Sequence, residues 1–129
     1  MNERLSPGKR KLTLDHISDS LLAEYGFRRD EAASLSYRCI NREAVLIRTS
    51  NVYVKHPDRK LNEEALRDLL SGIRDGKALP PILVFRKPGA ELARLVDGTH
   101  RWRVAAALGF SMIPCLLLTR DEADAYRLS

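Results

Sequence analysis

Cysteine is scarce in this 129-residue chain, and what there is does not cluster. Cys39 and Cys115 stand far apart and form no CxxC pair, which argues against a cysteine-built zinc site or a disulfide scaffold. No apolar run approaches the roughly 20 residues that span a bilayer, and Met1-Asn2-Glu3-Arg4 is too polar to open a signal peptide. These absences lead to the expectation of a soluble cytoplasmic protein with reduced thiols and no membrane partner. Aromatics make up only 6% of residues and show no interleaving with basic residues along the chain, so a nucleic-acid stacking surface is not expected from sequence order. The three histidines, His16, His56 and His100, are not spaced as metal ligands.

What is present is a length suited to one domain, a 44% hydrophobic fraction and a net charge of +5. The basic balance favours an anionic ligand or nucleic acid as partner, without selecting between them. Pro7-Gly8 and the cluster Lys9-Arg10-Lys11 suggest an N-terminal arm. Ile17, Leu21 and Leu22 then recur at helical spacing, predicting a helix from Asp15 to Tyr25, and Glu31 to Leu35 suggests a second short one. The first 45 residues are therefore expected to be an arm and helical extension, with residues 46–129 forming the main domain.

In that domain, Ala44–Ile47 and Asn51–Val54 are strand-like. Leu61, Ala65, Leu66, Leu69, Leu70 and Ile73 mark one face of an amphipathic helix with Asn62 as its cap. Pro80-Pro81 breaks the backbone before Ile82–Phe85, an apolar run suited to a buried strand. Ala93–Val96, a helix ending near Leu108 at Gly109, a strand over Phe110–Leu118 and a helix over Asp121–Leu128 follow. Strands alternating with helices predict an α/β fold, or mixed α+β, with a small mixed sheet flanked by helices.

The residues that carry chemistry are Asp97-Gly98-Thr99-His100-Arg101, between a predicted strand and a predicted helix. A helix N-terminus exposes unpaired N–H groups and roughly half a positive charge, which stabilises an anion such as phosphate. Gly98 permits a turn closed to other residues, Thr99 can cap the helix or donate to an oxygen, and Arg101 offers a planar fork of donors. His100 adds a titratable donor. Arg103, two residues on, points elsewhere on the helix and ranks lower. The same string also reads as a simple capped turn, and local sequence does not separate the two.

Leu95 to Ala106, followed by Leu108-Gly109 and Ile113-Pro114, resembles the signature of the ParB/sulfiredoxin superfamily, and Leu61 to Gly76 with Pro81–Val84 matches its first helix and second strand in order. The resemblance covers roughly residues 50 to 128. It implies that Gly98, Thr99, His100 and Arg101 hold the phosphates of ATP, ADP or CTP, with Pro81 beside the pocket and Mg²⁺ accompanying the nucleoside di- or triphosphate.

The superfamily's chemistries divide on single residues. Sulfiredoxins carry a cysteine where this chain has Thr99, so sulfinic acid reduction is not expected, and Cys115 reads as core. Partition proteins usually carry Arg-Arg at the place of His100-Arg101 and continue into a helix-turn-helix domain. Since the sequence ends at Ser129, DNA recognition is expected only through a partner or a basic surface. Free serine kinases share the Asp-Gly-x-His-Arg loop. That resemblance implies that Asp97 holds Mg²⁺ through the nucleotide or orients a hydroxyl, with His100 and Arg101 stabilising phosphoryl charge. The kinases' loop glutamate has no counterpart in His56-Pro57-Asp58-Arg59, where Asp58 is a candidate substitute and His56 a candidate ligand contact. The leading expectation is a nucleotide-dependent phosphotransferase or hydrolase with Asp97 and His100 as catalytic residues and a small hydroxyl compound as second substrate. The alternatives are a non-enzymatic, nucleotide-responsive module in DNA partition or regulation, oligomeric or working through partners, and a ParB-like nuclease with carboxylates around a metal.

Overall fold

The computed structural model describes residues 13–14, 16–32, 35–55 and 60–128. The Lys9-Arg10-Lys11 cluster and the segment carrying His56 and Asp58 lie outside the described residues. So do Ala33 and Ser34, the centre of the second short helix expected in the extension.

The apolar run β5 (Ile82–Phe85) forms the middle of a five-stranded mixed sheet. It pairs in parallel with β7 (Met112–Leu117) and antiparallel with β6 (Ala93–Asp97). β2 (Val45–Arg48) adds antiparallel to β7, and β3 (Val52–Tyr53) adds parallel to β6, giving the order β2-β7-β5-β6-β3. A strand flanked on both sides must bury alternate residues at least, and Ile82 and Val84 are indeed fully buried. Helix α2 (Glu63–Arg74) packs against α3 (Thr99–Leu108), while α4 (Arg120–Leu128) lies against β5 and β6. Among the described residues no helix is long and apolar enough to cross a membrane.

Local chemistry sets the helix boundaries. The Asn62 side chain accepts from the Ala65 N–H at 3.0 Å, Glu63 and Glu64 occupy the first turn of α2, and Arg74 occupies its last, each complementing the helix dipole. α4 starts one residue before the sequence suggests because Thr119 and Glu122 form a reciprocal capping box, with bonds of 2.8 and 3.1 Å. In the extension, α1 (Asp19–Glu24) begins at Asp19 rather than Asp15. The cause is Ser18, extended in backbone, whose Oγ accepts from the Leu21 N–H at 3.1 Å.

Two strands were not expected. β1 (Thr13–Leu14) pairs antiparallel with β4 (Leu61–Asn62), so Leu61 is a buried strand residue and not the first of the α2 face. The extension also shares the core of the sheet: Ile17, Leu21, Leu22 and Tyr37 are buried in one cluster with Leu66, Val104 and Ile113. It closes the C-terminus of α3 as well. Backbone N–H groups of Asp30 and Ala32 donate to the carbonyls of Ala107 and Leu108 at 3.1 and 3.0 Å, satisfying acceptors that a helix end otherwise leaves to water. Gly109 ends α3 at φ 81°, and a Cβ there would lie 2.6 Å from the Asp30 Cα. Both the left-handed backbone and the absence of a side chain are required.

Gly109→Ala should therefore lower unfolding stability by about 2 kcal/mol, combining left-handed strain with displacement of the extension from α3. Denaturant unfolding followed by circular dichroism checks this, and the same substitution at Gly89, where a Cβ would meet nothing within 4 Å, isolates the strain alone.

Candidate functional site

The loop between β6 and α3 bounds a concavity of about 300 Å³ lined by Asp97, Gly98, Thr99, His100 and Arg101. Gly98 sits at φ 107°, and an added Cβ would stand 2.8 Å from Ile82 Cγ2 and 3.1 Å from Arg101 Nη2. The loop thus presses directly on the start of the central strand, a contact only glycine allows. Gly98 is also the N-cap of α3, its carbonyl accepting from the Trp102 N–H at 2.9 Å. Thr99 is the first helical residue and not the cap. The Gly98 N–H donates to Asp97 Oδ1 at 2.9 Å, which orients an exposed carboxylate at the rim.

The two neighbouring helix N-termini differ in charge. α2 is closed by the Asn62 side chain and two glutamates, whereas α3 has neither a side-chain cap nor an acidic residue in its first turn. Its partial positive end is therefore offset by no side chain of its own first turn.

His100 and Arg101 are held by backbone. The Asn62 N–H donates to His100 Nε2 at 2.8 Å, so Nε2 is unprotonated in this arrangement and the ring proton resides on Nδ1. Any donation from the ring to a ligand must come from Nδ1. Arg101 Nη2 donates to the Pro81 carbonyl at 3.2 Å, while its buried Nε has no hydrogen-bond partner among the described residues. Pro81 is buried and acts on the loop through this carbonyl; it does not line the concavity. Beside it the Tyr37 hydroxyl donates to the Pro80 carbonyl at 3.2 Å. Burial pushes the Tyr37 phenol above its ordinary range, and the Arg101 charge opposes that rise only in part.

Sequence reasoning missed Tyr37, which carries no motif, and saw Asn62 only as a cap. Arg103 lines a different cleft, with His16, Arg29 and Trp102. Trp102 donates from Nε1 to the Thr49 carbonyl at 3.3 Å and packs on the core. Cys115 is fully buried in β7, where desolvation pushes its thiol up to about 12. No group of three or more His, Cys, Asp or Glu residues able to hold a metal occurs among the described residues.

A small mixed sheet flanked by helices, with a glycine-led helix N-terminus at the end of β6, defines the chain as an α/β domain. The chain belongs to the ParB N-terminal domain family, whose model matches residues 38–129. It is 37% identical over 92 residues to an ATP-dependent L-serine kinase of Desulfurococcus mucosus, covering 70% of this chain and 34% of the kinase. It is 29% identical over 117 residues to a probable chromosome-partitioning protein ParB of Vibrio cholerae, covering 86% and 39%. The chain thus spans between a third and two-fifths of these relatives' length. Among solved structures, a C-terminally truncated ParB from Caulobacter crescentus complexed with CTP-gamma-S aligns with a TM-score of 0.51 at 28% identity, over 66% of this chain and 49% of that one. Sulfiredoxin from Arabidopsis thaliana shares the fold, with a TM-score of 0.54 at 19% identity, covering 67% of this chain and 97% of that one.

The Tyr37 environment sets a pH dependence. Its folded-state pKa lies above the unfolded value of 10.0, so the neutral phenol stabilises the fold fully below that value. The contribution is lost as pH rises from there through the folded pKa. Urea unfolding at a series of pH values should show stability falling on the alkaline side, less steeply in Tyr37→Phe. That variant should also cost about 1 kcal/mol at neutral pH for the lost bond to the Pro80 carbonyl.

Proposed function

We propose that this chain binds a nucleoside di- or triphosphate with its phosphates at the N-terminus of α3, and that it transfers or hydrolyses a phosphoryl group there. The observation that carries the reading is the concavity lined by Asp97 to Arg101 at a helix end that has no side-chain cap and no acidic residue in its first turn. The kinase and the CTP-gamma-S-bound ParB among the matched relatives support a nucleotide as the anion.

In this reading the first-turn backbone and the Thr99 hydroxyl contact phosphate oxygens. Arg101, already fixed by the Pro81 carbonyl, directs its remaining donors at them, and His100 donates from Nδ1. Pre-fixed donors stabilise the spread charge of a transferring phosphoryl group without reorganising. Asp97, exposed at the rim, orients the attacking hydroxyl or water. The donor set fits Mg²⁺ only as a cation carried on the phosphates, since Asp97 is a single carboxylate. Carried there on the nucleotide, Mg²⁺ would supply neutralisation of phosphate charge beside Thr99, His100 and Arg101. Thiol chemistry has no support, because Thr99 occupies the loop and Cys115 stays protonated and buried.

A second reading is a nucleotide-responsive module without turnover, acting in DNA partition or regulation. It is favoured by the Vibrio cholerae match, which extends over 86% of this chain.

Calorimetric titration of ATP, ADP and CTP with Mg²⁺ should show binding of at least one, weakened roughly 10- to 100-fold in Arg101→Ala through loss of a charge-assisted bidentate contact. Unchanged affinity in that variant, or no binding of any of the three by the wild type, overturns the site. Phosphate release or a phosphorylated product that disappears in Asp97→Ala, with nucleotide affinity retained, supports the enzyme. Tight binding with no turnover supports the module.

A further inference from the structure

At the far end of β6 from the phosphate loop lies a second concavity, of about 550 Å³, whose lining differs in kind. Register brings its centre together. Arg94 is the lateral partner of Tyr53 on β3 and of Phe85 on β5, so the three side chains stand in one row across the sheet. The Arg94 guanidinium lies over the Phe85 ring at 5.9 Å, and that of Arg120, at the start of α4, lies over the same ring at 4.7 Å. Lys55 and Lys87 complete the rim. Four cations therefore meet in one groove, and among the described residues no carboxylate lines it and none of the four forms a salt bridge. Apolar surface is exposed within it: Tyr53 is 45% and Leu92 53% accessible.

Unneutralised cations gathered on one surface attract a polyanion. The accessible Tyr53 side chain and the two guanidinium groups over the Phe85 ring are surfaces on which a free base can stack. A duplex keeps its base faces inside the helix and cannot use them. An acidic peptide would satisfy the charge but leave the stacking planes unused.

We propose that the groove formed by Tyr53, Phe85, Arg94 and Arg120 binds single-stranded nucleic acid, with a base stacked on the aromatic and guanidinium planes and the backbone phosphates on Lys55 and Lys87. About 10 Å of strand separates Arg94 from Asp97, so the groove is distinct from the phosphate loop and does not depend on what that loop binds.

Fluorescence anisotropy with a labelled oligothymidylate of about twelve nucleotides tests this with the full chain. Binding should weaken with salt, with log K against log salt sloping about −1.5, as the two phosphate contacts at Lys55 and Lys87 require for a single strand. Tyr53→Ala should weaken binding about five-fold or more with the slope unchanged, whereas Lys87→Gln should make the slope shallower by about 0.7. Tyr53 lies on an exposed edge, and retention of the wild-type thermal midpoint in both variants confirms folding. A duplex of the same length that binds as tightly overturns the proposal. So does polyglutamate competing as well as the oligonucleotide, or Tyr53→Ala having no effect.

Discussion

The contact between Gly98 and Ile82 is the constraint on which the rest of the site depends. With less than 3 Å between the place of a Cβ and the Ile82 side chain, the turn after β6 must be glycine and must rest on the first residue of the central strand. That fixes where α3 begins, and a helix axis that begins at a fixed point delivers its positive end to a fixed point. Arg101 follows from the same placement, because one turn into α3 its guanidinium reaches back to the Pro81 carbonyl just before β5.

Around that contact the protein has spent its hydrogen bonds on rigidity and left charge unspent. The Asn62 N–H holds the His100 ring, the Pro81 carbonyl holds Arg101, and Asp97 holds the turn. None of these bonds neutralises the helix end. The loop's side chains are thus fixed in place before anything meets them. The N-terminal segment contributes at a distance, with Asp30 and Ala32 on the final carbonyls of α3 and Tyr37 on the Pro80 carbonyl, so it holds the end of that helix and the backbone just before β5.

The sheet is polarised along β6. One end carries the Asp97–Arg101 loop, rich in donors and shaped by backbone; the other carries the basic and aromatic groove, shaped by side chains. Strand geometry accounts for the separation, since a strand's two ends lie on opposite edges of the sheet.

What the sequence by itself determined was local. β5 followed from an unbroken apolar run, α2 from apolar spacing with Asn62 before it, and the loop from a glycine and basic residues at a strand-to-helix junction; each signal lies within one turn or one strand. Tertiary structure decided whatever needed partners distant in the chain. The pairing of Thr13-Leu14 with Leu61-Asn62 moved Leu61 from helix to strand, and Ser18 moved the start of α1. Tyr37 joined the site because its hydroxyl reaches a carbonyl 43 residues away, and no local pattern encodes that. Thr99 was legible as a polar residue at a helix start, but the backbone at Gly98 made glycine the cap and left the helix end open. Aromatic and basic residues that do not interleave along the chain do so across the sheet, where Tyr53, Arg94 and Phe85 are lateral neighbours. Register, a property of paired strands and not of any one of them, placed them there.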